Sequence, residues 1–178
     1  KSALTGHLVL STLHTTTASG SIARLINMGV EPYLINSSIV CVLSQRLVRK
    51  ICSYCKESYI LKKEIIESLK LNLGTSTSLG VNGERSRTID KIKKPEFFKG
   101  KGCTHCFNMG YSGRTGIAEV LLLSGKIREL ILSRAQEHVI KQQARKEGMK
   151  TLREDGLEAA LKGLTSLEEV LRVTAPDD

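Results

Sequence analysis

At 178 residues the chain is long enough to bury a core of its own, and its 40% hydrophobic content excludes wholesale disorder. Aromatics are only 4% and Trp is absent, so that core must be built from Leu, Ile, Val and Ala, and no apolar run approaches the roughly 18 residues that span a bilayer. The formal net charge of +9 is concentrated: Arg46 to Cys106 holds 14 Lys and Arg against 6 Asp and Glu, the remainder 13 against 12. A stretch this basic is either a solvated face or a docking face for an acidic partner or anionic lipid headgroups.

The opening, Lys1-Ser2-Ala3-Leu4-Thr5-Gly6, has no initiator Met and no signal-peptide pattern, so the chain is expected to be a piece of a longer protein. His7 to Leu13 is a short apolar run that reads as a strand buried in a parallel sheet. Thr15, Thr16 and Thr17 are candidate N-caps for a helix running to about Met28, with Ile22, Leu25 and Ile26 on one face and Gly29 as its stop. Pro32 suits the first turn of a second helix, whose apolar period runs through Leu34, Ile35, Ser38, Ile39, Val42 and Leu43. Arg46 to Ile51 reads as a strand, residues 61–72 as a short helix, and 74–88 as a loop. Gly116 to Leu123 is strand-like. Helices are expected over about 126–133, 136–147, 152–162 and 166–172, with Gly148 and Gly163 as stops. Thr165…Glu168 and Ser166…Glu169 both match a capping box.

Cys52-Ser53-Tyr54-Cys55 and Cys103-Thr104-His105-Cys106 form two C-x-x-C pairs with 47 residues between them. A C-x-x-C turn aims both sulfurs at one point, and two such turns complete a closed tetrahedral shell of the structural zinc type. The alternatives are unliganded thiols, a redox pair and an iron–sulfur cluster. With no secretory signal, metal ligation is preferred to disulfides, and a reducing cytoplasmic setting follows. The segment between the pairs has little core, so a structural Zn2+ would hold it together, and Cys103→Ser is expected to unfold residues 52–106 while sparing the flanks. Cys41, the fifth cysteine, lies in an apolar stretch.

Five collinear blocks resemble the type II secretion and type IV pilus assembly ATPases. They are Leu4 to Thr15 with Ala18 and Arg24-Leu25-Ile26, similar to that family's His box; Ser44 to Arg49 leading into Cys52 and Cys55; Gly102 to Cys106 with Gly110 to Ile117, Glu119 and Val120; Ile127 to Ile131; and Gly148 to Leu157 with Thr165 to Thr174. The resemblance is weak only over about 57–99. It implies an α/β fold: the C-terminal portion of a RecA-like P-loop ATPase domain, with a four-cysteine zinc-binding insertion and a helical C-terminal region. The expected divisions are 1–51, the end of the ATPase core; 52–106, the zinc module; and 107–178, a return strand and helices.

The resemblance also implies a cytoplasmic homo-hexamer, peripheral to the inner membrane, that drives secretion or pilus assembly through a platform or docking protein there. The parent would use ATP and Mg2+. No G-x-x-x-x-G-K-[ST] phosphate loop occurs in these 178 residues, so the fragment is expected to be inactive alone. His14, after the His7–Leu13 run, would sense the nucleotide in the full-length enzyme, and His7 is the weaker candidate. Arg46, Arg49 and Arg114 read first as solvated or paired surface arginines, with service to a neighbouring subunit or anchoring of acidic side chains as the alternative. The competing reading is a standalone zinc-ribbon nucleic-acid-binding module. The basic stretch has few aromatics for base stacking and no recognition helix, so no nucleic-acid partner is expected.

Overall fold

The computed structural model describes residues 2–61 and 96–176. Both the helix expected over 61–72, beyond its first residue, and the loop expected over 74–88 lie outside the described residues. The chain divides into two units, each made of separated segments: residues 1–47, 116–156 and 173–178 form the first, and 48–115 with 157–172 the second. Strands β1 (Cys41–Ile51) and β4 (Tyr111–Leu122) pair with each other, and each runs from one unit into the other.

In the first unit, helix α1 spans Ala18–Asn27. The Thr17 side chain accepts from the Gly20 N–H at 3.0 Å, so the last of the three threonines is the cap. Ile22 is fully buried, Leu25 and Ile26 pack on the same core, and Gly29 ends the helix region at φ 84°. Helix α2 covers only Pro32–Ser38, with Pro32 in its first turn. The period expected to carry it to Leu43 breaks at Ile39, whose backbone is extended, and β1 begins at Cys41. The run Ile39-Val40-Cys41-Val42 is rich in β-branched side chains, which favour the pleated backbone once β4 supplies a partner strand.

Helices α3 (Gly125–Leu132) and α4 (Glu137–Lys146) complete this unit's core. Ile127, Ile131 and Ile140 meet Ala18, Ile22, Ile35 and Leu121 there. Polar groups at the core's edge are satisfied from a distance in sequence. The buried Glu119 side chain accepts from the Ala18 N–H at 2.7 Å, which neutralises a free donor at the start of α1. Arg128 donates from Nε to Leu123 O and from Nη2 to Ile39 O. Helix α5 (Leu152–Leu161) starts with a reciprocal cap: the Thr151 N–H donates to Glu154 at 2.9 Å, and the Glu154 N–H to Thr151 Oγ1 at 3.2 Å.

The run His7–Leu13 is not the buried strand expected. It has no regular secondary structure, and Leu8 and Leu10 are each 89% exposed. A strand exists through the ladder it makes with a neighbour, and no described segment pairs with this one.

In the second unit, β2 (Lys56–Ile60) and β3 (Glu96–Gly100) pair antiparallel, with Ser58 opposite Phe98 and Tyr59 opposite Phe97. Phe97 is fully buried against Leu157, Ala160, Leu167 and Val170, so among the described residues the end of α5 and all but the last residue of α6 (Leu167–Val173) supply most of the cluster around it. Helix α6 is capped by Ser166, whose hydroxyl accepts from the Glu169 N–H at 3.2 Å. Gly163 sits between the two helices at φ 66°. No described helix is long and apolar enough to cross a membrane.

Candidate metal centre

The four paired cysteines converge within the second unit. Cys52 follows directly on the end of β1, and Cys55 turns back into β2. Cys103 caps and Cys106 ends a 3-10 turn (Thr104–Cys106) between β3 and β4. Their sulfurs all lie within 4.8 Å of one another. The separations are 3.9 Å for Cys52–Cys103, 3.8 Å for Cys55–Cys106 and 3.7 Å for Cys103–Cys106. A tetrahedron of sulfurs about 2.3 Å from a central ion has an edge of about 3.8 Å. The donor set therefore fits one four-coordinate ion, and the four cysteines can hold a metal. Cys41 is exposed, on β1 in the first unit.

The backbone is shaped to receive negative sulfur. The N–H groups of Gly102, Cys103 and Gly110 donate to Cys55 Sγ at 3.3 Å, Cys106 Sγ at 3.3 Å and Cys106 Sγ at 3.2 Å. Burial pushes the Cys55 thiol up to about 12; the adjoining sulfurs add to this and the Gly102 N–H opposes it. Burial also acts upward on Cys106, but the Cys103 and Gly110 N–H groups and neighbouring sulfurs outweigh it, lowering that thiol to about 7. One thiolate forms readily, and its charge then resists ionisation of the rest unless a cation enters.

Two glycines let the segments approach. The Cys52 N–H donates to Gly110 O at 3.0 Å, and the Lys101 N–H to Cys55 O at 2.9 Å. Gly100 and Gly110 then lie backbone to backbone: a Cβ on Gly110, which has φ 75°, would fall 2.5 Å from Gly100 O, and one on Gly100 would overlap Gly110 O. Gly100→Ala is expected to destabilise the second unit by about 2 kcal/mol or more through that overlap. Urea unfolding followed alongside metal release will check this, with Gly116→Ala, whose Cβ meets nothing within 4 Å, as the control.

Beside the centre stands a buried carboxylate that sequence reading had placed only in a capping pattern. Glu169 is fully buried and accepts from Arg49 through its backbone N–H, Nε and Nη2, and from Arg172 through Nε and Nη2. Arg172 first, then Arg49, holds its carboxyl down at about 2 against the upward pull of burial. Arg49 also lies over the Tyr111 ring, 4.2 Å from its centre. Arg49 is thus a paired arginine that holds a buried acid, and Arg46 and Arg114 are exposed. Glu119 and Glu169 were missed as buried acids because Ala18 and Arg49, which meet them, lie a hundred residues or more away in sequence; only Arg172, three residues on from Glu169, is local.

The two histidines belong to the first unit. His7 is exposed, with Nδ1 3.1 Å from Thr5 Oγ1. His14 is exposed and bonded to none of the described residues.

A mixed α/β chain with a four-thiol metal clip between strand ends is the class these observations define. The chain belongs to the Type II/IV secretion system protein family, whose sequence model matches residues 1–172. It is 45% identical over 174 residues to the type IV pilus assembly ATPase PilB of Thermus thermophilus, covering 98% of this chain and 18% of that protein. It is 43% identical over 175 residues to the type II secretion system ATPase E of Vibrio cholerae, covering 98% of this chain and 31% of the relative. The type II secretion system protein E of Pseudomonas aeruginosa is 41% identical over 174 residues, with the same two shares. The chain therefore spans less than a third of the length of these relatives.

Proposed function

We propose that this chain is the C-terminal part of a hexameric ATPase that powers type II protein secretion or type IV pilus assembly. The observation that carries this is the match along 98% of the chain to relatives named as ATPases of those two systems. The remainder of the parent would supply the phosphate loop and the acidic groups for Mg2+. The first unit would then be the end of a RecA-like core, with residues 7–13 as the strand that such a core pairs and buries. The exposed Leu8 and Leu10 support that reading, because an apolar run this open is costly unless something covers it.

In the second unit Cys52, Cys55, Cys103 and Cys106 would hold a structural zinc. A zinc there supplies a cross-link with no open position, so its work is mechanical and not catalytic. The chain's own residues do the rest: three N–H groups aim at the sulfurs, and the Arg49–Glu169–Arg172 cluster ties the strand leading to Cys52 to helix α6. The basic surface of this module would dock an inner-membrane platform protein on the cytoplasmic side. Family membership favours this motor reading over a free-standing nucleic-acid module.

His14 would report whether ATP or ADP is bound. In the full-length parent, His14→Ala is expected to lower hydrolysis at least tenfold with nucleotide affinity changed less than twofold, since a sensor acts on turnover and not on binding. Steady-state ATPase rates beside fluorescent-nucleotide titration test it; wild-type turnover in the variant rules the role out. Metal content of the purified 178-residue chain, expected at one zinc per chain, tests the centre independently.

A further inference from the structure

His14 stands at the end of a run with no regular secondary structure, and the residue itself is exposed. Whatever fixes its ring must therefore come from the residues that follow it, and those are held one after another. Thr15 Oγ1 lies 2.7 Å from Ser21 Oγ, and Ser44 Oγ on β1 donates to Thr16 O at 3.4 Å. The Thr17 hydroxyl donates to Glu137 Oε1 at 2.7 Å, and the Ala18 N–H to Glu119 Oε1 at 2.7 Å. Ser19 Oγ donates to the same Glu137 oxygen at 3.2 Å. Helix α1, β1, β4 and α4 thus all grip the turn directly after His14, through residues that belong to the first unit.

The two carboxylates do more than cap a helix. Thr17 already serves the start of α1 in the ordinary way, accepting from the Gly20 N–H. Glu119 is brought to the same place from β4 and is only 2% exposed, a position that costs a carboxylate much of its hydration. Its return is geometric: a charged acceptor on a short hydrogen bond fixes where the helix begins. Gly20 leaves room for the arrangement, since a Cβ there would fall 2.7 Å from Thr17 Oγ1 and 3.1 Å from Glu137 Oε1. With the Ala18 and Gly20 N–H groups both spent inside the chain, the start of α1 is a mount for the residues in front of it. Such a mount matters where a side chain must meet a reacting group, because a misplacement of about 1 Å can cost about 100-fold in rate.

We propose that Glu119 is a positioning residue for His14, holding the turn over 15–18 through the Ala18 N–H, with Glu137 as its outer support through Thr17 and Ser19. This rests on the reading of His14 as the nucleotide sensor and names what keeps that sensor in place.

A double-mutant cycle in the full-length parent tests it. Glu119→Ala is expected to lower kcat about tenfold with nucleotide affinity changed less than about twofold, because the mount acts on turnover and not on binding. Glu119→Gln keeps an acceptor of the same shape for Ala18 and is expected to stay within about threefold of wild type. In the His14→Ala background the further change Glu119→Ala is expected to cost less than about twofold, since its effect runs through the histidine. Glu137→Ala, at the surface, loosens the same turn without opening the core; it is expected to cost about threefold, again only while His14 is present. It carries the test if Glu119→Ala does not fold. In the 178-residue chain, hydrogen exchange over 14–21 is expected to quicken about tenfold in Glu119→Ala and to stay as it was in α3. Losses that add to that of His14→Ala, a fall in affinity equal to the fall in kcat, a Gln variant as poor as the Ala variant, or unchanged exchange over 14–21 each overturn the proposal. If His14→Ala alone turns over like wild type, the sensor reading falls and the positioning role with it. A normal His14 effect with additive losses removes the positioning role alone.

Discussion

Cys103→Ser is expected to unfold the second unit while the first stays folded. Among the described residues, the second unit's buried cluster is Phe97, Leu157, Ala160, Leu167 and Val170, which is small for the segments 48–61, 96–115 and 157–172 that it serves. Structural zinc contributes about 10–16 kcal/mol in zinc-finger peptides, against about 5–15 kcal/mol for the stability of a whole domain. A serine hydroxyl is a poor zinc ligand and leaves the shell open. Hydrogen exchange reads the outcome by segment: protection should fall toward unfolded values in β2, β3 and α6 and persist in α1, α3 and α4. The earlier expectation confined the loss to residues 52–106. The shared core around Phe97 extends it to 157–172, so retained protection in α6 would show that this helix does not depend on the metal. Loss across both units alike would show that they unfold as one.

Glu169→Gln is expected to cost about 2–3 kcal/mol near neutral pH, and the cost should shrink in acid. Removing one member of a buried ion pair typically costs about 3–5 kcal/mol, and here the arginine side chains are 46% and 59% exposed, so water recovers part of it. The sign follows from the carboxyl. It lies at about 2 in the folded chain against an ordinary 4.5, so its stabilisation is fully present above about 4.5 and is lost as pH falls through 2. Melting temperatures of the two proteins should therefore converge between pH 4.5 and 2. A constant gap across that window would mean that Glu169 acts by shape and not by charge.

Capping chemistry was legible in the sequence wherever it was local. Thr17, Gly29, Pro32, Gly148 and Ser166 stand where a helix needs a hydroxyl, a left-handed residue or a missing donor, and each reads correctly without the fold. The two C-x-x-C pairs were legible for the same reason, since a spacing of three residues lets a tight turn bring two sulfurs together whatever surrounds them. The extent of α2 was not, because the apolar period through Leu43 is helical while the run Ile39-Val40-Cys41-Val42 is rich in β-branched side chains that suit a strand. The choice fell to β4, which pairs with β1. The run His7–Leu13 failed in the opposite direction: its apolar pattern suits a strand, and no described segment completes the ladder.

The fate of Ser166…Glu169 separates the two kinds of information. By itself the sequence determined that Ser166 would cap α6, because the hydroxyl and the N–H it accepts from are three residues apart. It also determined that four sulfurs in two tight turns would suit a metal. Only the tertiary structure decided that the Glu169 carboxylate would turn to Arg49, 120 residues away, while its N–H stayed in the cap, and that 157–172 would return to build the core of the unit that holds the cysteines. The physical reason is range. A cap or a knuckle is closed by neighbours along the chain, whereas a buried charge or a shared core is fixed by whichever distant segment offers a partner at the lowest cost in desolvation and chain entropy.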